Sequence, residues 1–325
     1  MVAKRDRPPL RLLKKHRIAI IGFGSQGTAQ ALNLRDSGIT PIIGLPPKSK
    51  SVSTAGKAGF EVVDSEQAVG RSDIISVLIP DHKHKELFDN INPDLIIGKA
   101  FIFAHGLSVA FGLVKLPASS DLILVAPHGP GMRLRELYLA GRPFTAFWAV
   151  ANDASGEARK IAKSYAAAIG CSPANLFKSS FRDEAVGDIF GEQAVLCGGL
   201  TGLLDSGFET LVHHGLSPES AYLECIYQLD LIVDLIKKYG PAGMFERISK
   251  TAAFGSLRSK DKLFGNNIRR KMDRLYGQIN SGRFARALLA ENKAGMKSLK
   301  NFLKTYDRSL LQKTHDKLTR RLLTR

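Results

Sequence analysis

An apolar run at 17–21, RIAII, breaks at Gly22, Gly24 and Gly27 and resumes at once as a helix-forming segment in IAIIGFGSQGTAQALNL. No other feature constrains the fold as strongly as this G-x-G-x-x-G spacing between strand and helix. The first glycine makes a tight turn and the second lets backbone approach a pyrophosphate. The third lets helix and strand pack closely, with the helix N-terminus facing the phosphates. The spacing alone is a weak signal, and its surroundings strengthen it. Apolar runs at 41–43, 61–63, 73–79, 99–104, 121–126 and 144–150 read as strands. Several are apolar throughout, as in strands covered on both faces. Segments between them, such as TAQALNLRDSG and HKELFDNI, have helical period and end at or near Gly or Asn. This alternation predicts an α/β Rossmann fold with a doubly wound parallel sheet over 1–180, closed by a helix at 154–170. Gly22, Phe23, Gly24, Ser25, Gln26 and Gly27 are the expected cofactor-binding residues.

The end of the second strand bears on which dinucleotide binds. Enzymes that use NAD place an acid about 20 residues after the fingerprint, where it binds the ribose 2′-hydroxyl. Here the segment reads IIGLPPKSKSVS, with Lys48, Ser49, Lys50 and Ser51 and no acid. Hydroxyl and ammonium groups suit a 2′-phosphate, which a carboxylate would repel. NADP(H) is the expected cofactor.

From 181 onward the strands stop, and 181–325 reads as an all-α domain. In FRDEAVGDIFGEQAVLCGG, Asp188 and Glu192 stand four apart and share a helix face. Their apolar neighbours predict a buried helix, where carboxylates need a partner or a metal. Oxygen ligands of this kind suit Mg²⁺. A second apolar helix, YLECIYQLDLIVDLI, carries Glu224 with Gln228 four residues later.

Hydrophobic residues make up 44% and charged residues 24%, the balance of a globular chain rather than a disordered one. No apolar run is read as approaching the roughly 20 residues of a membrane helix. The basic N-terminus, MVAKRDRPPLRLLKKHR, lacks the apolar stretch of a secretion signal, so a cytoplasmic location is expected. Cys171, Cys197 and Cys225 show no metal spacing and read as buried free thiols. The net charge of +17 raises the question of a polyanionic partner. The Lys and Arg residues read as dispersed, with modest concentrations at the N-terminus and from Arg258 onward. A solvated basic surface that attracts anionic substrates is favoured over nucleic acid.

The segments GFGSQGTAQALNLRDSG, LIPDHKHKELF, FAHG, APHGPG, NDASG, DIFGEQAVLCGG, PESAYLEC, LIVDLI and ENKAG follow one another in an order and spacing that resemble ketol-acid reductoisomerase, class I short form. The resemblance implies a Rossmann domain with an intertwined helical domain, two Mg²⁺ ions, and a homodimer with shared active sites. It also implies the reaction: alkyl migration in a 2-acetolactate-type acid followed by reduction with NADPH, a step of valine and isoleucine biosynthesis. It further implies roles for individual residues. Asp188 and Glu192 match the first metal pair, and Glu224 the first ligand from the partner subunit. His105 matches the active-site histidine, and Ser249 a substrate-binding serine. Ser49 and Ser51 match 2′-phosphate positions, and Gly131 of APHGPG lies at the cofactor. Metal ligation is thus assigned to Asp188, Glu192, Glu224 and Gln228, and catalysis to His105, Glu192 and Glu224.

The chain departs from the family pattern at several of these positions. Gln228 stands where the family has a second glutamate, so an amide oxygen without charge replaces a carboxylate. His128 replaces the lysine of APKGPG, Ala253 and Ser256 replace the acids of TAEYGD, and Pro46 occupies a position where arginine is common. Two alternatives stay open beside the reductoisomerase: an NADPH-dependent reductase of a keto acid or imine without isomerase activity, and a catalytically idle NADP- or polyanion-binding relative. The loop yields the first test. Fluorescence titration should show tighter binding of NADPH than of NADH, and Ser49→Asp with Ser51→Asp should weaken NADPH by about tenfold or more through charge repulsion. Equal affinities of the parent for the two cofactors would remove the argument from the loop.

Overall fold

The computed structural model describes residues 10–323, so the first nine residues of the basic N-terminus and the last two of the basic tail lie outside the described residues. The chain divides into two compact units, Met1–Gly187 and Asp188–Arg325.

In the first unit, β1 (Ile18–Ile21) leads into α1 (Ser25–Asp36), β2 (Ile42–Gly44), α2 (Ser51–Lys57), β3 (Val62–Val63) and α3 (Ser65–Gly70). The chain continues through β4 (Ile74–Val77), α4 (His84–Asn90), β5 (Ala100–Phe103), α5 (Leu107–Ala110) and β6 (Asp121–Pro127). It ends with α6 (Gly131–Leu139), β7 (Phe144–Asn152), α7 (Ala158–Ile169), β8 (Cys171–Lys178) and the start of α8 (Phe181–Gly191). The sheet order is β3-β2-β1-β4-β5-β6-β7-β8, with β1 to β6 parallel to one another. The chain order reverses between β1 and β4, which opens a crevice at the carboxyl ends of those strands.

Every residue of β1, β4 and β5 is buried, because the two faces of the sheet bury alternate residues in separate cores. Ile18, Ile20, Ile43 and Ile102 join Leu34 and Tyr165 on one side, and Ala19, Ile21, Val77 and Phe101 join Phe103 and Phe181 on the other. The register pairs Ile20 with Ile43 and Ala19 with Ile75, which keeps each set on its own face.

The parallel Rossmann sheet read from the sequence is present, with two differences. β7 runs antiparallel to β6, and β8, which lies beyond the helix expected to close the domain and is not among the expected strands, adds an edge strand parallel to β7. CSPANLFK carries no apolar alternation, and a register shift between Phe144 and Ala146 loosens its pairing.

A buried polar chain runs through the first core. The Tyr165 hydroxyl lies 2.8 Å from Gln30 Oε1 and 2.9 Å from Ser76 Oγ. Gln30 Nε2 donates to Gln26 Oε1 at 3.0 Å, and Gln26 Nε2 donates to the Gly129 carbonyl at 2.8 Å. Burial pushes the Tyr165 hydroxyl well above its ordinary value, so it remains protonated at any physiological pH.

The second unit is helical: α9 (Gly198–His213), α10 (Pro218–Tyr222), α11 (Leu229–Arg247), α12 (Lys250–Leu263), α13 (Asn266–Asn280), α14 (Arg283–Lys293), α15 (Lys297–Asp307) and α16 (Leu310–Leu323). Two π turns, Glu192–Leu196 and Leu223–Tyr227, precede α9 and α11. Phe208, Ala221, Tyr222 and Leu318 form a small core, braced by a 2.7 Å bond between the Tyr222 hydroxyl and His315 Nδ1. α11 bends where Gly240 takes φ 74° just before Pro241.

Three expectations are corrected here. The helix around Asp188 and Glu192 is only half-buried: Ala185, Val186 and Ile189 are buried, but both acids, Val195 and Leu196 are exposed in the chain. Cys197 is exposed and Cys225 half-buried, leaving Cys171 as the buried thiol. The stretch Phe181–His213 does reach the length and apolarity of a membrane-crossing helix, with a mean hydropathy of 1.2. Glycines and small residues hid its continuity in the sequence.

The buried chain yields a stability test. Tyr165→Phe removes one hydroxyl and leaves Gln30 and Ser76 short of a partner, a loss of about 1–3 kcal/mol. Denaturant unfolding should register that loss, whereas an unchanged midpoint would mean the chain contributes nothing to stability.

Candidate functional site

The crevice at the end of β1 is built by glycines with different duties. Gly22 takes φ +105°, and a Cβ there would meet Leu78 O and Ile79 Cγ2, each at 2.8 Å. At Gly27 a Cβ would lie 2.3 Å from the Gly22 carbonyl, so α1 rests directly on the turn. At Gly24 a Cβ would meet nothing within 4 Å. The protein's own packing therefore does not require glycine at 24, and the open space stands over the first amides of α1. Those amides have no partner within the helix and suit a pyrophosphate. A dinucleotide fits this cradle.

The remaining fingerprint residues divide between packing and binding. Phe23 is buried edge-on against Phe60 with centroids 5.7 Å apart, so only its backbone faces the crevice. Gly131 lies against Ser25 and Gln26: a Cβ there would sit 2.0 Å from the Ser25 carbonyl and 2.8 Å from the Gln26 amide. With the Gln26–Gly129 bond, this fastens the loop after β6 to the fingerprint. His128, on the same loop, is held by Thr145 Oγ1 at 3.1 Å and edge-on by Phe147 at 4.4 Å.

After β2, Lys48 and Lys50 are exposed, while Ser49 and Ser51 are half-buried. Ser49 Oγ accepts the Ser51 amide at 3.3 Å, and Ser51 opens α2. The loop thus presents hydroxyls and ammonium groups beside the crevice strand.

At the ends of β4 and β5 the structure joins residues the sequence reading did not connect. His105 Nδ1 is 3.3 Å from Asp81 Oδ1. Burial alone would raise the Asp81 carboxyl, but the hydrogen bond from His105, with the charge that His105 and His84 carry in the acid range where a carboxyl titrates, outweighs it and holds the group below its ordinary value. Asp81 is therefore a carboxylate that accepts from His105 Nδ1–H, which fixes that ring's tautomer and orientation. Burial lowers His84 against the pull of Asp81. The neutral His84 ring donates from Nε2 to the Ile79 carbonyl at 3.0 Å and accepts at Nδ1 from Ser108 Oγ at 2.7 Å. The Gly106 amide, next to His105, donates to the buried Glu184 carboxylate at 2.5 Å. A Cβ at Gly106 would lie 2.1 Å from the Phe181 carbonyl, so the start of α8 sits on this turn. Asp81 carried one sequence signal, an acid directly after an apolar strand; Glu184 carried none.

On the second unit Asp188 lies in the last turns of α8, and Glu192 opens the first π turn, where the Cys197 amide bonds back to the Glu192 carbonyl at 2.8 Å. Side chains at Gly198 and Gly199 would lie 2.5 Å and 2.0 Å from the carbonyls of Gln193 and Ala194. The double glycine of DIFGEQAVLCGG is what makes the wide turn possible. Glu224 lies in the second π turn, whose Cys225 sulfur would be 3.4 Å from a Cβ at Gly207 on α9. Gln228 Nε2 donates to Glu224 Oε2 at 3.3 Å, so these two are brought together. The pair Asp188 and Glu192 lies on a separate element from the pair Glu224 and Gln228. Ser249 caps α12 by accepting the Ala252 amide at 3.1 Å. The donor set of three exposed carboxylates and one amide is all oxygen, which fits Mg²⁺ and not a thiophilic metal.

Comparison with known proteins agrees with both units. Residues 12–175 match the family model "Acetohydroxy acid isomeroreductase, NADPH-binding domain", and residues 181–323 match "Ketol-acid reductoisomerase, C-terminal domain". A ketol-acid reductoisomerase (NADP(+)) from Petrotoga mobilis is 43% identical over 95% of this chain and 94% of its own. One from Campylobacter concisus is also 43% identical, over 95% and 91%. Among solved structures, an NADH-preferring ketol-acid reductoisomerase from an uncultured archaean superposes with a TM-score of 0.92 at 35% identity, covering 96% of each chain.

The glycine geometry separates binding from folding. Gly24→Ala should leave the melting temperature within about 1 °C, because its methyl group meets no protein atom, yet weaken dinucleotide binding about tenfold or more. Gly27→Ala should destabilise the fold outright. Unimpaired cofactor binding by Gly24→Ala would show that the open space does not receive the pyrophosphate.

Proposed function

The chain belongs to the ketol-acid reductoisomerase family, and on that premise we propose that it isomerises a 2-acetolactate-type acid and reduces the product with NADPH. This is a step of branched-chain amino-acid biosynthesis. The observation that carries the reading is the ordered match of both domain models along nearly the whole chain, joined to a cradle left open at Gly24.

The first unit, residues 1–180 in this reading, holds the cofactor. The backbone of Gly22–Gly27 and the α1 N-terminus receive the pyrophosphate, and Gly131 closes against them. Lys48, Ser49 and Ser51 receive the 2′-phosphate. The archaean relative is described as NADH-preferring, so this loop is where the two proteins are expected to part. His105 is the active-site histidine, and the Asp81 carboxylate keeps its Nδ1 protonated and its ring oriented.

The second unit, 181–325, binds metal and substrate. Asp188, Glu192, Glu224 and Gln228 are the candidate ligands, and Ser249 the candidate substrate contact. When bound, two Mg²⁺ ions supply Lewis acidity to the substrate oxygens during alkyl migration. Gln228 contributes an oxygen without charge, so the second ion binds more weakly than with a glutamate there.

A homodimer supports the shared site. Leu231, Phe254 and Leu257 are 60%, 64% and 76% exposed in the single chain, and much of α11 is bare. A second copy that supplies Glu224 and Gln228 to this copy's Asp188 and Glu192 would cover such a surface. The same burial accounts for Phe181–His213 without a membrane, and the enzyme is placed in the cytoplasm.

The test is turnover of 2-acetolactate with NADPH and Mg²⁺, followed by absorbance of the reduced cofactor. Gln228→Glu should lower the Mg²⁺ concentration needed for half-maximal turnover by about tenfold, since a carboxylate replaces an amide at a divalent ion. Combining it with His128→Lys should raise acetolactate turnover beyond either change alone. If acetolactate is inert with parent and variants while another keto acid is reduced, the divergent reductase takes the place of the reductoisomerase.

A further inference from the structure

α11 is one helix by length but two by backbone. Gly240 takes φ 74° and ψ 171°, outside helical space, and Pro241 has no amide hydrogen to return to the Lys237 carbonyl. The ladder that would hold residues 229–239 in line with residues 241–247 is interrupted there. Candidate site residues lie at both outer ends of the broken helix. Gln228 stands at the start of the first half, hydrogen-bonded to Glu224, and Ser249 caps α12 two residues beyond the second half. The angle at Gly240 thus sets where Ser249 stands relative to Glu224 and Gln228.

We propose that Tyr239 and Arg247 close a clasp across this break and act as positioning residues for Ser249. Tyr239 is the last residue of the first half and Arg247 the last of the second. The Arg247 guanidinium carbon lies 3.9 Å from the centre of the Tyr239 ring, a cation–π stack with one side chain from each half. Arg247 Nη1 also donates to the Gly243 carbonyl at 2.9 Å, which holds the guanidinium back along the helix toward the ring. The backbone adds a second contact. Gly243 is buried, and a Cβ there would lie 2.7 Å from Tyr239 Cβ, so the second half rests directly on the first.

Two further charges face the pair. Lys238 Nζ lies 5.0 Å from the same ring centre, and Glu246 Oε2 lies 3.4 Å from Arg247 Nη1. Both residues are exposed, and each adjoins its partner in sequence within one half, so neither bridges the break. A bend alone needs only Gly240 and Pro241. The stack adds a fixed angle to the bend. This role rests on the reading of Ser249 as a substrate contact, and neither Tyr239 nor Arg247 touches substrate, cofactor or metal in it. An open clasp lowers the fraction of molecules with Ser249 in place, which weakens apparent affinity without altering turnover of the bound state.

The test uses Tyr239→Leu and Arg247→Met, each of which removes one partner of the stack. Each should raise KM for 2-acetolactate about two- to fivefold, the range an exposed cation–π contact allows, with kcat and NADPH affinity unchanged. Tyr239→Phe keeps the ring face and should keep the parent KM. The double variant should be no worse than either single change, because both open the same contact. Gly243→Ala leaves both side chains present but forces the halves apart, and should raise KM as well. Amide hydrogen exchange without substrate reads the clasp by itself. Exchange over 241–249 should quicken in Tyr239→Leu and Arg247→Met and stay at the parent rate in Tyr239→Phe. Unchanged exchange in the two disrupting variants, or additive effects in the double variant, would overturn the clasp. So would an equal loss in Tyr239→Phe, which would place the effect in the hydroxyl. Faster exchange with KM at the parent value would overturn the positioning role. If the parent leaves acetolactate untouched, the substrate reading falls and the role of Ser249 with it, while exchange still decides the clasp.

Discussion

The Gly22 carbonyl occupies the place where a side chain at residue 27 would have to go. That backbone-to-backbone contact fixes how α1 leaves β1, and the rest of the first unit is arranged around it. α1 packs on α6 through the equally close approach of Gly131 to Ser25. Tyr165 on α7 then reaches α1 through Gln30, and the same chain of bonds passes Gln26 to Gly129. The crevice is thus one rigid piece with three helices behind it. Above Gly24 it is left open. A site held within a fraction of an ångström by packed backbone needs little reorganisation when its ligand arrives.

The elements that could be read from the sequence are those whose residues face one environment. β1, β4 and β5 are buried on both faces and therefore apolar at every position, and the fingerprint glycines are forced by contacts only a few residues away. β8 was missed because an edge strand with most of its residues at least partly exposed needs no apolar pattern. The direction of β7 left no local trace either, since strand polarity depends on where the chain re-enters the sheet. Among site residues, Asp188, Glu192, Glu224 and Gln228 stood out as polar groups on apolar helices. Asp81 and Glu184 did not, because their partners, His105 and the Gly106 amide, lie 24 and 78 residues away.

The helical unit shows the opposite economy. Its internal core is small, and large apolar side chains such as Leu257 and Phe254 stand in the open. Reading burial from apolarity therefore failed around Asp188 and Cys197. Apolar composition there exceeds what one chain covers. The clustering of charge on α12 to α16 escaped a reading by residue for a related reason. Each helix carries an excess of only two or three cations, and it is the sum over five of them that stands out.

The π turns at Glu192–Leu196 and Leu223–Tyr227 have a consequence for the length of the chain. A wide turn holds one more residue than an α turn, so removing one residue from either would let the helix close up. The extra residue is taken up inside the wide turn, so the helix beyond it keeps its angular phase, whereas the same residue added to a regular α-helix would swing everything downstream by about 100° around the helix axis. The faces that α9 and α11 present therefore stay in phase with the helices before them, and a chain without either extra residue would present the same faces.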